Sequence, residues 1–465
     1  MSTAYDVIVI GAGPGGYVCA IRAAQLGLRT AVVDKEWLGG VCLNVGCIPS
    51  KSLLKNAEVA EILRHGGKDF GFSVDNLKLD YGAAVKRSRQ VSDRLTKGVG
   101  FLMKKNNIEV HYGVAVLRSK SGVEITDKDG QKKILEARHI VIATGARPSL
   151  IPGIPADGQK VLTYREAILQ EKLPASIIII GGGAIGVEFA TVWNSYGCKV
   201  TVVEMLPTLV PREDEEIGAE LSRRFGRAGI VVKTGTKVEG VDATGDGVKV
   251  KINGPTGAET LEAEQTLVAI GFKPNSENLG LEALGVMLER GFIQVDDRMQ
   301  TNVPGVWAIG DVTGKFMLAH VASAQGIVCA ENMANHPTVK LDYGAMPAAT
   351  YSHPQVASFG LTEKQAREKG HDVKVARFNF QANGKALGLG DYQGFVKIVT
   401  DGRYGEIIGA HLIGPEVTEL LPELTLAYSA ELTIEQIARN VHAHPSLSEV
   451  IMEAAHGLTG GYIQS

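Results

Sequence analysis

The sequence predicts an α/β fold with two three-layer units, the second inserted in the first, and a smaller α+β domain at the C-terminal end. Three observations lead there. A strand–glycine–helix–strand–acid pattern at Asp6–Asp34 recurs at Ser176–Glu204, and the segments closing the two copies, Ala137–Pro148 and Glu264–Pro274, also correspond. From Leu341 onward the pattern changes to short strands followed by helical runs. At 465 residues the chain is too long for one hydrophobic core.

In the first copy, DVIVI is an apolar strand, and Gly11-x-Gly13-Pro14-Gly15-Gly16 opens an alanine-rich helix. Gly27, a second strand and the acid Asp34 follow, with Lys35 after it. The first glycine of such a set makes a tight turn, and the second lets backbone approach a pyrophosphate. The third allows close packing of helix on strand. Asp34 stands roughly 20 residues beyond the first glycine, where an acid accepts from a ribose hydroxyl. The whole context, rather than the glycines alone, marks a dinucleotide-binding (Rossmann-like) unit. The second copy repeats it with Gly181, Gly183, Ala184, Ile185 and Gly186, then Gly197 and Glu204. Asp6–Pro148 outruns Ser176–Pro274, so the first copy carries the longer insertion.

That insertion begins with Gly39–Lys51, GGVCLNVGCIPSK, which holds Cys42 and Cys47. Five residues apart on a regular helix, two Cα atoms would stand roughly 8 Å from each other, beyond the ~4.4–6.8 Å a disulfide spans. A bond between them therefore requires a break in the helix, which Gly46 suits. Pro49 then suits the first turn of a new helix, with the sulfurs at its positive end. Two ordinary buried thiols fit the spacing as well.

Between fingerprint and closing strand, both copies show alternating strands with turns at Lys128–Gly130, Thr244–Gly247 and Gly254–Gly257. Pro148–Pro174 links the two units, and Val303–Val312 reads as a strand ending in Gly310-Asp311. A carboxylate there suits a second polyol, or is an unexceptional turn residue. Beyond Leu341, YSHPQVASFGLTE, FVKIV and EIIGAHLIG read as strands, with two helical runs from Val417 to the end. Before the last run, His442-Ala443-His444-Pro445-Ser446 and Glu449 suit a base with an orienting carboxylate. Pro445 and Ser446 equally suit a helix start.

Composition excludes several classes. A net charge of −3 without long basic runs gives no reason to expect nucleic acid or acidic lipid. Five cysteines, an odd number, argue against a secreted disulfide framework. No apolar run nears the ~20 residues of a membrane span, and no leader precedes the first strand, so a cytoplasmic protein is expected, or an organellar one already stripped of its presequence. No metal site is expected.

With these pieces in order, the sequence resembles the pyridine nucleotide–disulfide oxidoreductases over essentially its whole length. GGVCLNVGCIPSK looks like their redox-disulfide motif, and its IPSK ending is closest to members acting on lipoamide. The resemblance implies an FAD domain at 1–148 and 275–342, an NAD domain at 149–274, and a dimerisation domain at 343–465. FAD would be held by Gly11, Gly13, Pro14, Gly15, Gly16, Asp34, Lys35, Gly40, Val41, Cys42 and Lys51. Gly113, Ala115, Thr144, Gly145, Ala146, Gly310 and Asp311 would join them, with Met317, Leu318, Ala319 and His320 along the flavin. NAD would be held by Gly181–Gly186, Glu188, Glu204, Val238 and Gly271, with Lys51 pairing with Glu188. Asp34 stands where the family more often has glutamate.

The implied reaction is reoxidation of protein-bound dihydrolipoamide by NAD⁺ through a Cys42–Cys47 disulfide and FAD. His444 would be the base and Glu449 its partner, reaching the other subunit's site in a homodimer, while His442, before the turn, would matter less. The implied partners are lipoyl domains of 2-oxoacid dehydrogenase or glycine cleavage complexes. Related glutathione or mercuric reductases would want arginines after the second strand, but Met205, Leu206 and Pro207 follow Glu204. Soluble transhydrogenases and NADH oxidases would lack one of the two cysteines. A non-catalytic flavoprotein scaffold would not need Cys42, Cys47, His444 and Glu449 together.

Overall fold

A strand buried on both faces must be apolar throughout, and VIVI at 7–10 meets that condition. In the computed structural model, which describes residues 4–464, Val7 and Val9 pack into one core layer and Ile8 and Ile10 into another. Residues 1–3 and 465, the outer ends of the expected first and last domains, lie outside the described residues. The chain forms two compact units, Met1–Ser52 with Ala83–Ser149 and Gly271–Leu341, and Leu53–Gly82 with Leu150–Ile270 and Asp342–Ser465.

The first unit is built on the strand Ala4–Ile10, parallel to Thr30–Asp34 on one side and Lys132–Ile142 on the other. Glu109–Tyr112 extends the parallel set beyond Thr30–Asp34, and Val306–Ala308 pairs in parallel with Lys132–Ile142. The first half of Lys132–Ile142 turns instead to Gly122–Thr126, antiparallel, which pairs with Val114–Leu117. The helix Pro14–Gln25 packs along Ala319–Met333 through small residues: a Cβ on Gly326 would lie 2.6 Å from the Gly15 carbonyl oxygen. The tails of the two closing segments also meet in this unit. Ala146–Pro148 and Phe272–Pro274 form an antiparallel ribbon.

The second unit repeats the parallel core, in the order Val231–Lys233, Lys199–Val203, Ser176–Ile180, Gln265–Val268 and Val161–Leu162. Val161–Leu162 lies in the segment expected to be a linker, so this fold begins before its fingerprint. A three-stranded antiparallel sheet, Lys237–Asp242, Val248–Gly254 and Gly257–Ala263, shares its core. The C-terminal part of the unit is a five-stranded antiparallel sheet, Ala348–Thr350, Gln355–Gly360, Glu406–Gly414, Phe395–Asp401 and Val373–Asn379. Three helices follow rather than two runs: Val417–Ser429, Ile434–Arg439 and Glu449–Thr459. The middle one starts at a capping box made by Thr433 and Gln436, a local signal that ends the longer run. The last starts at Glu449 with Ser448 as its N-cap, so Pro445 and Ser446 lie before the helix. Among the described residues, no helix is long and apolar enough to cross a membrane.

Candidate functional site

Gly11 leaves the first strand with a φ of +106°, and a Cβ there would stand 2.2 Å from the Ala143 carbonyl oxygen. On Gly16 it would stand 1.9 Å from the Gly11 carbonyl oxygen. Both positions exclude any side chain. Gly13 caps the helix that starts at Pro14 and Gly15, and a Cβ on Gly13 would meet nothing within 4 Å. The loop is therefore tight behind and open in front, with helix amides at the open edge, where an anion is favoured. Asp34 Oδ2 accepts from the Ala12 amide at 2.7 Å, and Oδ1 from Glu36 and Trp37 at 2.8 and 3.0 Å. Lys35 beside it is exposed. The Gly113 amide donates to the Asp34 carbonyl at 2.9 Å, which brings the Gly113–Ala115 backbone alongside.

Thr144 donates its hydroxyl to the Asn275 carbonyl at 2.7 Å, and the Asn275 amide donates to Gly145 at 2.9 Å, fixing the turn into Ala146. The Gly310 amide donates to buried Gln325 at 2.7 Å. Asp311 lies in the short helical turn Gly310–Thr313, and burial pushes its carboxyl up to about 6. Met317 and Leu318 lead into the helix Ala319–Met333, whose first residues are Ala319 and His320.

The cysteine segment is tied to the same loop. The Gly39 amide donates to Ala12 at 2.8 Å, and a Cβ on Gly40 would stand 2.6 Å from the Gly13 Cα. A short helix Gly40–Val45, carrying Val41, stops at Gly46, and a second, Cys47–His65, begins at once. The break brings the Cα atoms of Cys42 and Cys47 to 4.6 Å, and their sulfurs are bonded. Cys47 occupies the positive end of a 19-residue helix, where a thiolate is stabilised. Lys51 is half-buried one turn further on.

The second fingerprint repeats the first. Gly181 has φ +111°, and a Cβ on Gly186 would stand 2.0 Å from the Gly181 carbonyl oxygen. Gly183 caps the helix that begins Ala184-Ile185. Glu204 Oε2 accepts from Gly182 at 2.7 Å and Oε1 from Leu206 at 2.8 Å. Val238 lies at a bulge in its strand. Buried Glu188 accepts from the Tyr351 amide at 2.9 Å. Gly271 falls in the first unit, accepting from Ser149 at 2.9 Å.

His444 is exposed on the loop before the last helix, its Nδ1 2.9 Å from Glu449 Oε1. Glu449 Oε2 accepts from the Ser446 amide at 2.8 Å. Burial raises the Glu449 carboxyl, but the Ser446 amide and the His444 ring outweigh it and hold it below the usual carboxylate value. This leaves His444 Nε2 as the outward edge of a ring whose other nitrogen is occupied.

Residues 5–326 match the family described as pyridine nucleotide-disulphide oxidoreductase, and residues 346–455 match that family's dimerisation domain. The chain belongs to the pyridine nucleotide-disulphide oxidoreductases. It is 52% identical to dihydrolipoyl dehydrogenase of Mycobacterium leprae over 99% of each chain. It is 48% identical to that of Corynebacterium glutamicum over 100% of each. Among solved structures it is similar to LpdA from Mycobacterium tuberculosis, with a TM-score of 0.90 and 28% identity over 97% of this chain and 99% of that one. It is also similar to the HOCl-induced flavoprotein disulfide reductase RclA from Escherichia coli, with a TM-score of 0.85 and 26% identity over 97% and 99%.

As a member of this family the protein is an NAD-dependent flavoprotein disulfide oxidoreductase, with FAD and NAD as cofactors, and it forms a homodimer. FAD fits the donor set of the first unit. A tight glycine loop before a helix suits its pyrophosphate, Asp34 suits a ribose, and the half-buried carboxyl of Asp311, with its raised pKa, suits a polyol hydroxyl. NAD fits the second loop and buried Glu204, followed by Met205 and Leu206, exposed and uncharged. Asn275 and Gln325, which shape the first site, are absent from the sequence reading. Gln325 had one signal, an amide set in the otherwise apolar stretch Ala324–Ala330; Asn275 had none.

Proposed function

We propose that the protein reoxidises a protein-bound dihydrolipoyl group with NAD⁺, as the shared oxidoreductase of 2-oxoacid dehydrogenase or glycine cleavage complexes. The carrying observation is the Cys42–Cys47 disulfide at the head of a helix, tied by Gly39 and Gly40 to the phosphate loop of the first unit. The names of the full-length relatives from M. leprae and C. glutamicum support the substrate. Glu204 supports NAD⁺ over NADP⁺, since a buried carboxylate repels a 2′-phosphate.

The substrate thiolate attacks Cys42 Sγ, and the bond to Cys47 breaks. Cys47 leaves as a thiolate at the helix N-terminus, where the macrodipole stabilises it. The second substrate thiol then attacks the mixed disulfide, releasing Cys42 as a thiol and the lipoyl group as a disulfide. His444 Nε2 takes the proton from the attacking thiol, while Glu449 on Nδ1 fixes the ring and stabilises the imidazolium. His444 belongs to the second unit, and the reading has it act on the disulfide of the partner subunit. FAD, when bound, supplies the redox link between the cysteine pair and NAD⁺.

In this reading the chain has three functional parts: an FAD part at 1–148 and 275–342, an NAD part at 149–274 and a dimerisation part from 343. The remaining site residues serve the cofactors as the resemblance implies. Its place is the cytoplasm, supported by the free thiols Cys19, Cys198 and Cys329. The test compares NAD⁺ reduction by free dihydrolipoamide with NADPH oxidation by glutathione disulfide. Rapid dihydrolipoamide turnover is expected; a preference for glutathione and NADPH would overturn the reading.

A further inference from the structure

Between residues 441 and 445, only His442 turns inward. Val441, Ala443, His444 and Pro445 are exposed, whereas the His442 side chain is 4% exposed against 76% for His444. His442 Nε2 lies 2.9 and 3.0 Å from the two carboxylate oxygens of Glu423, on the helix Val417–Ser429. Its Nδ1 lies 2.9 Å from the Asn440 carbonyl oxygen. Asn440 also donates its side-chain amide to Glu423 at 3.0 Å. A carbonyl and a carboxylate both only accept, so each ring nitrogen must donate, and the ring is held as an imidazolium. On the far side of His444, Ser446 is pinned twice. Its amide donates to Glu449 and its carbonyl accepts from Asn383 at 2.9 Å.

We propose that the Glu423–His442 ion pair is a positioning device for His444, clamping one end of a short exposed loop so that the ring keeps its bond to Glu449 and its Nε2 edge outward. This rests on the reading of His444 as the proton acceptor. An exposed side chain on a loop has many rotamers to lose, and a loop fixed at His442 and at Ser446 leaves His444 little backbone freedom. The clamp has a pH window. The bond to Glu423 raises the His442 pKa, so its contribution is full below about 6.5 and is lost as pH rises through the raised value. Burial raises Glu423, but His442 and Asn440 outweigh it and lower its pKa, so its share is full above about 4.3 and is lost as pH falls. Glu449 is the other charged group acting on His442, and it too favours the imidazolium.

The experiment uses the FAD-loaded dimer. Dihydrolipoamide oxidation is measured against pH for wild type, His442→Ala, His442→Gln, Glu423→Gln and His442→Ala/Glu423→Gln. NADH-dependent ferricyanide reduction, which needs no thiol proton transfer, and thermal unfolding are measured beside it. His442→Ala should lower kcat for dihydrolipoamide by about 10- to 100-fold with KM and ferricyanide reduction within about twofold of wild type. His442→Gln, which still donates to Glu423 but does not titrate, should recover most of that loss and flatten the alkaline limb. The double variant should cost no more than the worse single one. The clamp is overturned if His442→Ala keeps wild-type kcat, if the two losses add, or if ferricyanide reduction and the unfolding midpoint fall in step with kcat. His444→Gln separates the two claims: if it alone is inactive while His442→Ala is normal, the base stands and the clamp falls. If His444→Gln keeps full activity, the base assignment fails and the clamp with it.

Discussion

The two nucleotide-binding folds are the same device fitted to different ends. Their loops agree closely: φ is +106° at Gly11 and +111° at Gly181. An added Cβ would sit 1.9 Å from backbone oxygen at Gly16 and 2.0 Å at Gly186. In each copy the acid ending the second strand bonds a loop amide at 2.7 Å, Asp34 to Ala12 and Glu204 to Gly182. What differs is what each loop is tied to. The first is crossed by Gly39 and Gly40, which carry the disulfide to its edge. The fold around the second is fastened to the C-terminal sheet of its unit at the head of the helix Glu215–Arg227. There, Lys397, 3% exposed, reaches Asp214 at 3.0 Å, Glu216 at 2.6 Å and Glu363 at 2.9 Å. A conserved loop geometry thus sets what a fold binds, and the side chains around the loop set what that binding accomplishes.

The widest expected gap lies in the cysteines. Cys42→Ser or Cys47→Ser in the first copy should reduce dihydrolipoamide-dependent NAD⁺ reduction by about 10⁴-fold or more, with the unfolding midpoint little changed. Cys198→Ser in the second copy replaces a buried thiol and should leave turnover near wild type. A comparable loss there would erase the functional difference between the copies.

Next in size is the anchor of the second copy. Lys397→Met strands three carboxylates around one buried position and should cost about 3–5 kcal/mol of stability in denaturant unfolding. Burial alone would raise Asp214, but Lys397 outweighs it. In Glu363, Arg367 is the first cause and Lys397 the second, and both carboxyls end below their ordinary values. Their stabilisation is therefore full above about pH 4.5 and drains as pH falls further, and Lys397→Met should flatten that acid limb. An unaltered acid limb would mean the ion pairs are not what holds the second copy.

Smaller, and expected to be equal, are Gly16→Ala and Gly186→Ala. Each forces a methyl group into backbone and should cost about 1–3 kcal/mol by thermal unfolding, with weakened retention of FAD in the first and a raised KM for NAD⁺ in the second. A gap beyond about 1 kcal/mol between them would mean the loops are not mechanically equivalent. The smallest effect should come from Glu204→Ala, which should narrow the preference for NAD⁺ over NADP⁺ by roughly tenfold in kcat/KM. An unchanged ratio would place nicotinamide choice elsewhere.

Both fingerprints, the broken helix at Gly46 and the His444–Glu449 pair were legible in the sequence. In each case the deciding residues are neighbours along the chain: a tight turn, a cap and an i, i+5 partner all need only local spacing. The repeat strengthened the reading, because two copies of one pattern constrain each other.

Residues far apart in sequence were another matter. Asn275 closes the turn at Thr144, Gln325 holds the Gly310 amide, and Glu423 fixes His442. Lys397 sits mid-strand, where its neighbours Val396 and Ile398 look like any buried sheet. The Val161–Leu162 strand is too short to announce itself and exists because Gln265–Val268 offers it an open edge. The sequence by itself determined the two folds, their glycine loops and the place where a helix must break if Cys42 and Cys47 are to bond, because these depend on local backbone geometry. Only the tertiary structure decided which distant side chains hold those parts in place, because a buried polar group takes the partner that packing brings to it.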